Sequence, residues 1–365
     1  MANEFPPLEA EIRRRIALHG PMSVGQYMAL CLTHPGHGYY VTRDPLGVGG
    51  DFTTAPEVSQ MFGELIGLWA CSVWRQMGSP ENLRLVELGP GRGTMMLDAL
   101  RAVQVVPAFR SALSVHLVEI SPALEARQRR AFAGIEVPAV WHGTLEEVPD
   151  GPAIILANEF FDALPVQQAV MCADGWHERV VRIGNDNALQ FSSARDPIPL
   201  FDQMLPRSVR KPKIGDIFEW RADQIALEIG RRVTRTKGAA LVIDYGHGES
   251  ATGETLQAVG SHEYVDPLLT PGQVDLTAHV DFSAIAQAAD SMDARVYGPI
   301  EQGEFLRRIG IIERAERLKA AAQGSEPQYA PAPEQKTVNA PTAPPTERRQ
   351  GGRRSQDARL PTARR

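Results

Sequence analysis

Val86-Glu87-Leu88-Gly89-Pro90-Gly91-Arg92-Gly93 decides the fold of this chain. It completes Leu83 to Leu88, a short apolar run that reads as a strand, and precedes Thr94 to Val103, whose apolar positions recur at helical period. Glycines at 89, 91 and 93 allow a tight turn and remove side chains where a ligand must approach the backbone. A dinucleotide fingerprint, G-x-G-x-x-G, would need its third glycine at the position held by Thr94.

The order found, E-x-G-x-G-x-G, is instead typical of methyltransferases, so the expected cofactor is S-adenosyl-L-methionine, which has no phosphate to cradle. The next strand, Ser114 to Ile120, brings Glu119 to its end, where a carboxylate can accept hydrogen bonds from both ribose hydroxyls. Glu87 is the candidate partner of the cofactor's ammonium, directly or through water, and the backbone near Gly143 and Leu145 is the candidate adenine contact. Taken singly, each has a bland alternative: a glycine turn before a helix can be architectural, and a strand-end Glu can be merely solvated.

Working outward, a helix from Pro122 to Ala133 and strands at Ala153 to Ala157 and Ala239 to Ile243 continue the alternation that marks a parallel sheet. Residues 166 to 218 lack helical periodicity and read as an inserted, mainly β excursion. Residues 8 to 19 and a stretch from Ser23 read as helices, Thr33 to Pro56 as a Gly- and Pro-rich lid, and Val58 to Met77 as an amphipathic helix behind a Thr54/Glu57 capping box. The expected fold is α/β: a Rossmann-like class I methyltransferase with a mainly parallel sheet, an N-terminal helical subdomain and lid over 1–80, and a catalytic domain over 81–320.

Ligands of open α/β sheets bind beyond the carboxyl ends of the strands. Asn158-Glu159-Phe160-Phe161-Asp162-Ala163-Leu164-Pro165 lies there, and Asn158, Glu159 and Asp162 are the candidate catalytic residues. Methyl transfer from a sulfonium is an in-line displacement that needs positioning more than a nucleophilic side chain. Paired carboxylates suit a guanidinium acceptor, whose fork they can hold bidentately. The alternative is that Asp162 caps a helix and Glu159 orders its own loop. Tyr39, Tyr40, Asp51, Phe52, Thr54, Glu57, Asp244, Tyr245 and His279 are candidate substrate or lid residues. Asp275, His279 and Asp281 form either an acid–base cluster or a set containing helix caps. His34 and His37 have HxxH spacing in a Pro- and Gly-broken loop without a third ligand nearby, so no metal is expected.

Composition sets the limits. With 365 residues and 43% hydrophobic content a sizeable core is available, and a formal charge of −6 argues against a protein that neutralises nucleic acid backbones. Cys31, Cys71 and Cys172 are far apart and suggest neither disulfides nor zinc. There is no run of about 20 apolar residues and no Arg- and Ser-rich leader, so membrane insertion is not expected and a bacterial cytoplasm is the expected address. From 321 to 365 a Pro-, Ala-, Gln- and Arg-rich tail is expected to be disordered.

From about residue 8 to 320 the chain resembles the MidA family. The resemblance is carried by His34-Pro35-Gly36, Gly38-Tyr39-Tyr40, Gly50-Asp51-Phe52-Thr53-Thr54-Ala55-Pro56-Glu57, the glycine loop and the segment from Asn158 to Pro165. Asp244-Tyr245-Gly246, the run from Asp275 to Phe282 and Gln302-Gly303-Glu304-Phe305-Leu306 extend it. That family includes a mitochondrial complex I assembly factor described as a protein-arginine methyltransferase. The resemblance therefore implies symmetric dimethylation of an arginine on a complex I subunit. Other readings are a small-molecule or different protein acceptor, and a non-enzymatic assembly chaperone. Nothing after Leu318 matches: the family pattern closes with a Met-Gly-x-x-Phe-Lys-like strand inserted in the sheet, and its loss is expected to leave a gap there.

Overall fold

The computed structural model describes residues 5–42, 55–260 and 263–323. The chain divides into Met1–Lys319 and Ala320–Arg365, and of the second unit only Ala320–Gln323, the end of a helix, is described. The tail beyond Gln323, and Asp51, Phe52 and Thr54 of the expected lid, lie outside the described residues.

Helix α1 (Pro7–His19) buries Leu8, Ile12 and Ile16, one stripe of a helical surface. After the short strand β1 (Met22–Ser23), Ser23 and Gln26 form a capping box that starts α2 (Val24–Thr33). Two short turns, α3 (Tyr39–Thr42) and α4 (Ala55–Val58), lead to the long α5 (Gln60–Gln76). The single helix expected from Val58 is interrupted at Ser59. Its extended backbone leaves the helix, and its hydroxyl, accepting from the Met61 N–H at 3.2 Å, caps a new one.

The central layer follows: β2 (Leu83–Leu88), α6 (Thr94–Ala102), α7 (Pro107–Ala112), β3 (Leu113–Val118), α8 (Pro122–Ala131), β4 (Ala139–His142) and β5 (Ala153–Asn158). The chain then leaves for β6 (Val166–Cys172), β7 (Gly175–Ile183), β8 (Leu189–Pro197), α9 (Phe201–Met204) and β9 (Ile217–Arg221), and returns through α10 (Gln224–Thr236) to β10 (Ala239–Ile243). The sheet is parallel throughout, with five strands in the order β10-β5-β2-β3-β4. Strand alternation divides its side chains between two cores. Leu83, Leu85, Ile154 and Leu156 join Ile66, Trp74, Met96 and Phe109 on one face, while Val86, Leu88, Ile155 and Ala157 join Ala226, Ile229 and Ala288 on the other. Being covered on both faces explains why these strands read as continuous apolar runs. Strand β3 stops at Val118 rather than Ile120, because the Glu119 N–H makes the last ladder bond, to the His142 carbonyl, and its carboxylate then turns the chain by accepting from Ser121 N–H.

The excursion is antiparallel: β1, β7, β6 and β9 run side by side and β8 flanks β7. It extends to Arg221, three residues beyond the expected limit of 218. The rest comprises β11 (Gly246–His247), β12 (Gln257–Gly260), β13 (Glu263–Val265), β14 (Asp275–Thr277), β15 (Val280–Asp281), α11 (Phe282–Asp290), α12 (Gln302–Arg308) and α13 (Ile311–Gln323). Helices α1 and α2 share a core with β6, β7, β12 and β14 through Ile12, Tyr27, Val166, Val181, Ala258 and Leu276. The N-terminal helices thus join the inserted sheet to the β12–β14 sheet, while α5 packs on the parallel layer.

Candidate active site

A cavity of about 540 Å³ opens at the carboxyl ends of β2, β3 and β5. That is within the usual size range of small-molecule sites. Its floor is the glycine loop. Gly89, Gly91 and Gly93 have φ of +60°, +54° and +79°, and Gly93 is the N-cap of α6. A Cβ on Gly89 would lie 2.9 Å from the Phe160 ring, so the turn needs glycine for space as well as conformation.

Glu87 sits inside β2 between Leu117 of β3 and Leu156 of β5, a setting without polar partners. Its Oε2 is buried and makes no hydrogen bond, and burial, reinforced by the charge of Glu119, pushes its pKa up to about 8. An orphaned carboxylate oxygen facing a cavity is suited to a cationic ligand group. Glu119 also lines the cavity, and its two oxygens accept from Ser121 N–H at 2.8 Å and Gln128 Nε2 at 3.0 Å. An ionised carboxylate has about four acceptor positions, so capacity for ribose hydroxyls remains.

Gln128 is the residue that sequence reasoning missed. Fully buried on α8, its Nε2 donates to the Gly91 carbonyl (2.7 Å) as well as to Glu119, and its Oε1 accepts from Trp141 Nε1 (2.8 Å). One amide thereby fixes the glycine loop, the Glu119 carboxylate and β4 against each other. The signal available was a polar residue four positions after Leu124 on the buried stripe of a helix. Gly143 and Leu145 do not line the cavity: Gly143 N–H donates to Glu147 and Leu145 is in the core, leaving Ile120 and Leu124 as the apolar wall beside Glu119.

At the end of β5 and just past it, Asn158, Glu159 and Asp162 all line the same cavity. Glu159 has φ +47°, rare for a residue with a side chain, and is held there by its N–H bond to the Ile243 carbonyl (2.8 Å). Burial, reinforced by the charge of Asp244, raises the pKa of its carboxylate, an effect that the Ala55 N–H at the start of α4 and the Asn158 side chain partly offset. Asp162 starts no helix, so the capping alternative does not hold. It is only 9% exposed, its Oδ1 has no partner, and burial together with Asp244, Asp275 and Glu159 pushes its pKa up to about 8.

Asp244, a candidate substrate ligand by sequence, is used structurally. Its Oδ2 accepts from the N–H groups of Phe160 (3.2 Å), Phe161 (2.9 Å) and Asp162 (3.3 Å), and its Oδ1 from that of Tyr245 (2.8 Å). Tyr39 likewise leaves the site, fully buried in the core with α1 and α2. Tyr40, Tyr245 and His279 line the cavity; Glu57 does too, accepting from Thr94 Oγ1 at 2.6 Å and pairing with Arg92 at 3.6 Å. Asp281 is a helix cap, accepting from Ala284 N–H at 3.1 Å, but Asp275 is not: it opens β14, and the Tyr40 hydroxyl donates to its Oδ1 at 2.8 Å. His34 Nδ1 accepts from Gly36 N–H, ordering a turn, and the described residues contain no cluster of His, Cys, Asp or Glu that could hold a metal.

A parallel sheet in this order, a glycine turn after its central strand and an acid at the end of the next define a class I methyltransferase. The family described as "Putative S-adenosyl-L-methionine-dependent methyltransferase" matches residues 65–300, and the chain belongs to it. It is 38% identical to the protein arginine methyltransferase NDUFAF7 homolog, mitochondrial, of Drosophila melanogaster, over 86% of this chain and 77% of that one. It is 37% identical to the human protein arginine methyltransferase NDUFAF7, mitochondrial, over 87% and 76%. A Burkholderia thailandensis protein crystallised with S-adenosyl-homocysteine superposes with a TM-score of 0.76 at 28% identity, covering 87% of this chain and 84% of that one. The protein is an S-adenosylmethionine-dependent methyltransferase.

Proposed function

We propose that this methyltransferase modifies the guanidinium of an arginine in a protein substrate. The observation that carries the reading is Asp162, a buried carboxylate with an unpartnered oxygen, in the same cavity as the glycine loop and Glu87. The names of the Drosophila and human relatives, both protein arginine methyltransferases, support it.

When bound, S-adenosylmethionine supplies an electrophilic methyl group on a sulfonium. Glu87 is the residue to hold its ammonium, Glu119 its ribose hydroxyls, and the glycine loop the backbone surface against it. Asp162 Oδ1 is placed to accept an acceptor N–H, orienting the nitrogen, and then to take the proton that nitrogen sheds on methylation. Its raised pKa suits it to that proton. The backbone strain at Glu159 and the three N–H bonds to Asp244 fix the direction in which Asp162 points.

The acceptor protein we place among the subunits assembled into respiratory complex I, with symmetric dimethylation as the product and the bacterial cytoplasm as the address, following the family resemblance. Incubating the chain and trideuteromethyl-labelled S-adenosylmethionine with isolated complex I subunits, then mapping the label by mass spectrometry, tests this. Label on arginine that disappears with Asp162→Asn is the expected result. Label on lysine, or only on small molecules, overturns the arginine reading.

A further inference from the structure

We infer that a second cavity beside the active site takes an aromatic side chain of the acceptor protein, a few residues from the one that is methylated. This rests on the protein-acceptor reading above and names a further feature by which the acceptor is recognised.

The second cavity, of about 460 Å³, lies among β9, α9, the segment between β11 and β12, and α11. It has the size of a small-molecule site and is far larger than the voids that close packing leaves in a core. Two strips of chain separate it from the first cavity. On one strip Phe160 and Asp162 line the first cavity and Phe161 the second. On the other, Thr277 and Ala278 line the first, Val280 and Asp281 the second, and the exposed His279 lines both. Arg221, which lines the second cavity, joins the strips by donating to the carbonyls of Asp162 (3.3 Å), Ala278 (2.6 Å) and His279 (2.7 Å). The cavities are thus neighbours across this partition, with His279 common to their rims.

The walls indicate the guest. Phe201, Phe218 and Trp220 line the cavity, the two phenyl rings lying 5.0 and 6.2 Å from the Trp220 ring between centroids. Aromatic rings gain from edge and offset contacts with a further ring beyond the area they bury, so these walls favour an aromatic guest over an aliphatic one. Met204, 77% exposed, adds a flexible thioether that adapts to the guest's outline. Ala226 of α10 and Ala284 of α11 are small and leave the space open. Ser250 also lines the cavity; it is 5% exposed, and its Oγ has no hydrogen-bond partner. A buried hydroxyl left unmatched beside apolar walls is a polar contact for an incoming group. Continuity with the acceptor cavity makes that guest part of the acceptor itself: a chain with its arginine in the first cavity passes His279 and seats a neighbouring side chain in the second.

The test is calorimetric titration of the chain, saturated with S-adenosyl-homocysteine, with Gly/Ser peptides that carry one arginine and one phenylalanine separated by one to six residues, a reach of up to about 25 Å. Peptides with alanine for phenylalanine, or lysine for arginine, complete the set. At the best spacing phenylalanine is expected to tighten binding about tenfold over alanine, and Ala251→Trp, which narrows the cavity, or Met204→Glu, which places a charge in it, to cut that gain to under about twofold. Ala251 and Met204 are both exposed, and S-adenosyl-homocysteine affinity reports the folding of each variant. A gain that survives in both variants, or no gain at any spacing while free N-acetylphenylalaninamide binds as a small molecule, overturns the docking role and leaves the arginine reading standing. A gain found equally with lysine in place of arginine overturns the arginine reading and leaves the aromatic docking site standing.

Discussion

Asp162 and Glu87 are carboxylates that the fold holds at a cost, and both are testable by charge removal. The folded pKa of Asp162, about 8, lies above the 3.8 of an unperturbed Asp. Between those values the native chain retains a proton that the unfolded chain has released, so its contribution to stability declines as pH rises from about 4 to about 8. Asp162→Asn removes that burden: at pH 8 it should melt about 2–4 °C higher while kcat falls about 100- to 1000-fold and cofactor affinity stays within about twofold. A variant with unchanged kcat would remove Asp162 from the chemistry. Glu87, with a pKa near 8, must ionise to pair with the cofactor's ammonium, so protonation competes with binding as pH falls. Affinity for S-adenosylmethionine should drop about tenfold from pH 8.5 to 6.5, and Glu87→Gln should flatten that dependence. Calorimetry in two buffers of different ionisation enthalpy would detect the proton released on binding; no release means that Glu87 is already charged or not engaged. At this scale Glu87, Glu119 and Asp162 could be picked out by their offsets from predicted strand ends. Gln128 could not, because its role depends on three groups that only folding brings within reach.

Strand β9 shows what the excursion contributes at the scale of elements. Its last residue, Arg221, is half-buried and donates to the carbonyls of Leu164 (3.2 Å), His279 (2.7 Å), Asp162 and Ala278. One guanidinium thus joins the inserted sheet to the loop after β5 and to the segment between β14 and β15. Nothing in the sequence around Arg221 signals this, since its partners are backbone oxygens, which have no sequence identity. Arg221→Lys, which keeps the charge but not the fork, should raise KM for the protein acceptor and lower kcat/KM by about tenfold or more. Its affinity for S-adenosyl-homocysteine should be unaffected; a loss of that affinity would instead mean general disruption. The glycine turn is the opposite case, legible because its residue type is dictated locally. Gly89→Ala forces a Cβ to within 2.9 Å of Phe160 at φ +60°, and cofactor binding by calorimetry should become undetectable while the far-UV spectrum is retained. Wild-type affinity in that variant would show that the turn can yield.

Across the whole molecule the parallel sheet ends at β10, which among the described residues pairs only with β5 and leaves all five of its residues partly exposed. Residues 294–300 form no ladder, and Val296, Tyr297 and Ile300 are 44%, 81% and 48% exposed. The gap expected in the sheet does not lie between β10 and β5, which pair directly; among the described residues β10 is the open edge. Replacing the residues after Leu318 by a strand of the family's Met-Gly-x-x-Phe-Lys type should raise the melting temperature by about 5 °C, through burial of that edge. An unchanged melting temperature would sink the idea. Sequence by itself determined the alternation of strands and helices, the glycine turn and the cofactor, because these depend on local periodicity and on conformations only certain residues adopt. Even there it missed β4, four residues too short to show a period. The tertiary structure decided which carboxylates share a cavity: it committed Asp244 to four amides, sent Tyr39 into the core and brought Tyr40 and Asp275, 235 positions apart, into contact. Desolvation and proximity across the chain are properties of the packed state, and no local pattern of residues encodes them.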